Sequence, residues 1–344
     1  MSVRVADESR PSQQHRSQRT QARFDLSLSE NPFPPLPSVL IAVNHVLAQA
    51  NRYPEFLPRR LPRLIAGRVG VHSDQVVVGS GATGVAMQII QALTKPGDGI
   101  VYGAPTFDGY PIMAEMADLE VVPVPLDDAG NQDLWAMAKA IDKRTGLVVV
   151  CRPHNPTGTV ISAAELKAFL CSVPRRMPVV LDEAYAEFLG PADRVDTLEL
   201  LNRHPNLMVL RTFSKAYGLA GLRIGYTFGS SELISRVRRL QLPFGVSSAA
   251  VAAVAASYAA EPELAARILR ITTARETLRS ALLHRHIAVP RSHANFLYLP
   301  GPGVATALRR AGIAAKVYPD GSARVAVGDT EADNAVLKSL ESLR

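Results

Sequence analysis

The segment Arg211-Thr-Phe-Ser-Lys-Ala-Tyr-Gly-Leu-Ala-Gly-Leu-Arg-Ile-Gly-Tyr226 places a lysine, a threonine, a serine and an arginine around a glycine-rich turn. The chain has seven lysines against thirty-one arginines, and Lys215 follows an apolar run with Thr212 and Ser214 beside it and Arg223 eight residues on. A lysine amine joins covalently to aldehydes, and hydroxyl and guanidinium groups hold phosphate. Two more segments fit an aromatic ring carrying both functions. Val179-Val-Leu-Asp182 reads as a buried strand ending in a carboxylate, and Asp182 is suited to a protonated ring nitrogen. Leu147-Val-Val-Val-Cys151 is followed by Arg152-Pro-His-Asn-Pro-Thr-Gly158, a loop shaped by two prolines and a glycine. From it Asn155 can donate to a ring hydroxyl oxygen, which Tyr185 can also reach. The ligand these groups describe together is pyridoxal phosphate.

Such side chains need a rigid frame. Apolar stretches near residues 76, 100, 120, 148, 179, 208 and 225 alternate with helical stretches. This predicts a three-layer α/β unit with a mainly parallel sheet covered on both faces. Ligands in open sheets of that kind sit beyond the carboxyl ends of the strands. Helices are predicted from about 247 to 286, then strands at 294–299, 315–318 and 323–327 and a last helix from 330, together a smaller α+β domain. Before the sheet, an amphipathic helix over 38–50 follows the proline-rich entry Asn31-Pro-Phe-Pro-Pro-Leu-Pro37. The division expected is a basic arm over 1–23, a segment over 24–50 that packs on the small domain and a subunit interface, a large domain over 51–245 and a small one over 246–344.

Composition narrows the function classes. A chain of 344 residues builds a large core. Two cysteines, Cys151 and Cys171, make neither a disulfide framework nor a metal-ligand set, which points to a reducing cytoplasm and no metal. The N-terminus has no apolar signal core, and Ala249–Ala256 is too short to cross a bilayer. Part of the net charge of +7 lies in residues 1–23, where five arginines outnumber Asp7 and Glu8 in a polar stretch expected to be disordered. The rest suits a phosphorylated cofactor and carboxylate substrates. Basic groups interleaved with stacking aromatics are missing, so no nucleic-acid partner is expected.

With Arg211–Tyr226, Asp182-Glu-Ala-Tyr185 and His154-Asn-Pro-Thr-Gly158 in this order, the chain resembles a fold-type I, class I/II aminotransferase. Within that superfamily it is most similar to the histidinol-phosphate and aromatic amino acid aminotransferase group, over nearly the whole chain. The resemblance implies a homodimer with pyridoxal 5'-phosphate on Lys215, and Lys215, Asp182 and Tyr185 as catalytic residues. Gly79-Ser-Gly-Ala-Thr-Gly84 is a literal G-x-G-x-x-G, but no acidic residue ends the next strand to bind a ribose. The aminotransferase reading gives the same turn to the cofactor phosphate, held by the backbone N–H groups of Ala82 and Thr83 at a helix N-terminus. It also implies that Phe107 stacks on the ring and that Tyr53 crosses to the partner's phosphate. Thr212, Ser214, Arg223 and Asn155 complete the cofactor set. Arg324, with Asn31 nearby, would face the substrate and clamp its α-carboxylate. The chemistry implied is exchange of an amino group between an L-amino acid and a 2-oxo acid by a ping-pong route.

Three departures bear on the substrate. The N-terminal Pro-Tyr-x-x-Gly-like segment usual in histidinol-phosphate enzymes is absent, Lys316 stands where the group more often has an arginine able to meet substrate phosphate, and Arg152 with His154 replaces an asparagine-rich segment. These favour an aromatic amino acid, with histidinol phosphate as the alternative. A decarboxylase or other lyase of the same fold would share Lys215, Asp182 and Asn155.

Overall fold

The computed structural model describes residues 22–341, so all but the end of the expected arm lies outside the described residues. Its strands are β1 (Phe24–Asp25), β2 (Val76–Ser80), β3 (Gly99–Ala104), β4 (Glu120–Pro125), β5 (Thr145–Cys151), β6 (Val179–Asp182), β7 (Leu207–Thr212), β8 (Ile224–Gly229), β9 (Phe296–Leu299), β10 (Ile313–Ala314), β11 (Lys316–Val317) and β12 (Ala323–Ala326). Seven of them form one sheet in the order β2-β8-β7-β6-β5-β3-β4. The fold is α/β, and β8 alone runs against its neighbours in this sheet. The reason is the length of the preceding connection. Residues 213–223 hold no crossover helix, and a parallel return needs a crossover of about a dozen or more residues, usually helical.

Burial on both faces explains the unbroken apolar runs. Val148 and Val150 of β5 join one buried cluster with Val179 and Val209, while Leu147 and Val149 join another on the opposite face with Ile89 of the helix Gly81–Leu93. The helix Ser248–Ala259 packs on the first cluster through Val251, Ala253 and Val254. Its packing therefore associates it with the large sheet, whereas a boundary at 245/246 would assign it to the small domain. An alanine-rich helix shows no marked apolar stripe, so its partner was not readable from its pattern.

The C-terminal part folds around β11-β12-β9, antiparallel throughout, with its own buried cluster around Leu297, Leu308 and Val325. The N-terminal segment is stitched into it. β1 pairs in parallel with β10, Leu26 donates to the Ala314 carbonyl at 2.8 Å, and Ala326 donates to the Leu26 carbonyl at 2.9 Å. Residues 27–31 are thereby delivered to the carboxyl edge of the large sheet. The helix expected over 38–50 spans Pro37–Leu47, with proline in its first turn where no N–H is needed. No described helix is long and apolar enough to cross a membrane.

Candidate active site

The segments following β2, β3, β5, β6 and β7 converge on one edge of the sheet. The most built feature there is an anion cradle. β8 passes so close to the start of the helix Gly81–Leu93 that a Cβ on Gly225 would lie 2.2 Å from the Ala82 nitrogen. Gly81 has φ +74°, and a Cβ there would meet Arg223 Nη2 at 2.3 Å. Only glycine at both places lets the guanidinium settle over the helix N-terminus. No side chain caps that helix, so its first N–H groups, including those of Ala82 and Thr83, are free for an anion. Arg223 is itself held by a left-handed backbone (φ 50°) and by Nη1 donating to the Ala220 carbonyl at 2.9 Å. Thr212 and Ser214 are buried and joined hydroxyl to hydroxyl at 3.0 Å. Positive charge, open N–H groups and hydroxyls in one cup fit a phosphate monoester.

The ring partners lie deeper. Asp182 is buried; Tyr110 donates to its Oδ2 at 2.6 Å and the Ala184 N–H to its Oδ1 at 3.0 Å. Burial raises its proton affinity, while Tyr110, Ala184 and Lys215 pull it back. A protonated pyridine nitrogen is the partner such a carboxylate lacks. Tyr110 reaches beneath the site, and Phe107 meets it edge-on at 5.9 Å. Tyr110→Phe deletes one hydrogen bond worth about 0.5–1.5 kcal/mol. Turnover should fall by roughly three- to tenfold with cofactor retained, read from steady-state kcat beside cofactor absorbance; an unchanged kcat would leave Tyr110 as core filling.

Lys215 is partly buried, its Nζ donating to the Ser29 carbonyl at 2.9 Å and lying 5.5 Å from the Tyr185 ring centre. Burial first, and the Arg324 charge second, bring its pKa down to about 7. Tyr185 donates to Ser29 Oγ at 3.1 Å, and burial pushes its phenol up to about 12. Asn31, expected to face the substrate, is engaged elsewhere. Its Nδ2 donates to the carbonyls of Lys215 and Ala216 at 2.9 and 3.0 Å, and its Oδ1 accepts from the Phe33 N–H. It positions the lysine turn. Ser29 has no motif around it, and only the folded N-terminal segment shows that it touches both Lys215 and Tyr185.

Arg324 enters from β12 and is 6 % exposed. Its Nη1 donates to Asn155 Oδ1 at 2.6 Å and its Nη2 to the Ser27 carbonyl at 2.9 Å, while Nε is buried without a partner. The Asn155 amide nitrogen is thus turned away from the guanidinium, with only a 3.5 Å contact to Tyr185 Oη. Lys316, opposite Arg324 in register, pairs with Asp108, next to Phe107. Arg152 is buried and donates to the carbonyls of Ile161 and Asp193 at 2.9 and 2.6 Å. His154 is buried against Thr157, and desolvation lowers its pKa to about 3. Both brace their loop. Tyr53 does not reach this pocket; it is 83 % exposed and its ring packs at a tilt against Phe244 with centroids 4.7 Å apart. Among the described residues, no His/Cys/Asp/Glu cluster is arranged to hold a metal.

Comparison with known proteins identifies the family. The family model for aminotransferase class I and II matches residues 23–340. An aromatic amino acid aminotransferase of Streptomyces coelicolor is 42% identical over 325 residues, covering 93% of this chain and 90% of that protein. One from Cutibacterium acnes is 42% identical over 316 residues, 90% of each chain. Histidinol-phosphate aminotransferase from Sinorhizobium meliloti, solved with pyridoxal-5'-phosphate, superposes with a TM-score of 0.89 at 25% identity, over 100% of this chain and 98% of that one.

Proposed function

Because this chain belongs to the class I and II aminotransferases, enzymes whose cofactor is pyridoxal phosphate, we propose that it moves amino groups between aromatic L-amino acids and 2-oxo acids. The observation that carries the substrate class is the pairing of Lys316 with Asp108. The cation standing where substrate phosphate would be met is neutralised by a neighbouring carboxylate. Arg324 remains, with an unpartnered Nε and a hydrogen to spare on each Nη, as the group suited to an α-carboxylate. The curated relatives of about 40% identity carry the aromatic name.

Bound pyridoxal phosphate supplies an aldehyde that joins amino groups and a ring that accepts the electron pair left when the α-proton departs. Around it, the cup of Ala82, Thr83, Thr212, Ser214 and Arg223 fixes the phosphate. Asp182 holds a proton at the ring nitrogen, and Asn155 with Tyr185 orients the ring hydroxyl. Phe107 covers a ring face. Lys215 Nζ would be the acid–base group that takes the substrate's α-proton and gives it back. A panel of amino donors and 2-oxo acid acceptors, read by keto acid formation, tests the reading. Phenylalanine and tyrosine should exceed histidinol phosphate in kcat/KM; the reverse order by several orders of magnitude overturns the substrate class, and carbon dioxide release would identify a lyase.

The active unit we propose is a cytoplasmic homodimer. Tyr53, Phe56, Leu242 and Phe244 form an exposed apolar cluster, 83, 60, 68 and 42 % exposed, of the kind a partner subunit covers. With Tyr53 assigned to the partner's phosphate, mixing inactive Lys215→Ala subunits with Tyr53-altered subunits should restore activity in hybrids carrying one intact site. A fully active monomer at assay concentration rules this out.

A further inference from the structure

Asn295 lies one residue before β9 and is fully buried. Its main chain is fixed on both sides: the Val327 N–H donates to its carbonyl at 2.9 Å, and Arg275 Nη1 donates to the carbonyl of Ala294, the residue before it, at 2.8 Å. From this seat its Nδ2 donates to two main-chain oxygens of the N-terminal segment, those of Ser29 at 3.2 Å and Glu30 at 2.9 Å. Both acceptors are carbonyls, so only the nitrogen end of the amide can face them. The oxygen end is left buried without a hydrogen-bond partner, which costs stability. An aliphatic side chain would avoid that cost and lose both donated bonds.

Those bonds act on the stretch that reaches the lysine. The Ser29 carbonyl accepts from Asn295 and also from Lys215 Nζ, the latter at 2.9 Å, while the Ser29 hydroxyl accepts from Tyr185. The ends of the stretch are pinned separately. Leu26 is bonded through its main chain to Ala314 and Ala326, and Asn31 gives its amide to the lysine turn. We propose that Asn295 is a positioning residue for amino transfer: by holding the Ser29 carbonyl from the C-terminal part, it fixes where Lys215 Nζ rests and keeps water from it. Arg324 is served differently, because its partner Ser27 follows Leu26 and is held by the Leu26 bonds without Asn295. The lysine end of the site thus depends on Asn295, and the carboxylate end does not. The inference rests on the transfer reaction proposed above and adds to it a residue that touches neither substrate nor cofactor.

Asn295→Ala removes both donated bonds. Ser29 then withdraws from Nζ and water reaches the amine, which favours its protonated form. Competitive acetylation of the cofactor-free protein over a pH series, with peptide mapping, reads the titration of Lys215 without turnover. Burial, with the Arg324 charge, places that midpoint at about 7 in the unaltered protein, and Asn295→Ala should raise it by about one pH unit or more. In the holoenzyme kcat should fall about tenfold, the scale of one lost hydrogen bond to a charged group. KM for amino donors should change by less than about threefold, since Ser27 stays on Arg324. Asn295→Leu keeps the branched outline without a donor; it should raise the midpoint likewise, and it serves if Asn295→Ala fails to fold. Leu297→Val trims the buried core two residues further on and should leave the midpoint in place. A midpoint unmoved by the Asn295 variants, or moved as far by Leu297→Val, overturns the proposal and leaves Asn295 a structural tie. Because acetylation needs neither cofactor nor substrate, it decides this point even for a protein that transfers no amino group.

Discussion

Lys215→Ala lowers turnover by about 10²- to 10⁴-fold, the span of a positioned acid–base group, with the protein still folded and its phosphate cup intact. The reason is the state of the amine as much as its position. A lysine with its ordinary pKa is neutral in roughly one molecule in 3,000 at pH 7. Burial and the Arg324 charge bring Lys215 to about 7, so about half of the amine is ready to attack an aldehyde or take a proton. The Ser29 carbonyl at 2.9 Å holds it in place meanwhile. Cofactor capture by the cofactor-free protein should therefore speed up as pH rises to about 7 and level off above it, because deprotonation makes the nucleophile. Stopped-flow absorbance checks the profile, and borohydride trapping with peptide mapping checks the residue. Label on another lysine, or capture still accelerating toward pH 10, sinks the assignment.

What the sequence revealed and what it withheld divide along a physical line. Lys215, Asp182, Asn155 and the Gly79–Gly84 turn were legible because each follows an apolar strand within a few residues, and strand ends in such sheets face the ligand. Gly225 illustrates the next level: its type is visible, but only the fold shows the Ala82 nitrogen 2.2 Å from where its Cβ would be. Ser29 and Tyr110 were beyond reach. Ser29 touches Lys215 and Tyr185 across 186 and 156 residues, and Tyr110 touches Asp182 across 72. No local spacing encodes such contacts. Asn31 was expected at the substrate from the resemblance, and what the sequence did not show is that its amide nitrogen donates twice to the lysine turn. Lys316 was recognised as a departure, but its meaning required Asp108, at the start of the helix Gly109–Met116 that follows β3.

Arg324→Lys should lower kcat/KM for amino acid donors by roughly ten- to a few hundred-fold, equivalent to about 1.5–3 kcal/mol for a lost hydrogen bond to a charged group. A surface arginine would lose far less. Here the guanidinium is 6 % exposed and its environment is built around its fork: Asn155 Oδ1 takes Nη1, the Ser27 carbonyl takes Nη2, and Nε is left buried with nothing to bond. Lysine has the charge but one nitrogen, so it cannot hold Asn155, Ser27 and a planar carboxylate at once. Because the Asn155 contact is also lost, some of the fall should come through a misplaced ring and appear in kcat as well as KM. An amine donor without a carboxylate isolates the two parts, since it registers only the ring's displacement. Its kcat/KM should drop by much less than that of phenylalanine. Equal losses for the two donors would mean that Arg324 serves Asn155 alone, and the α-carboxylate would have to be bound elsewhere.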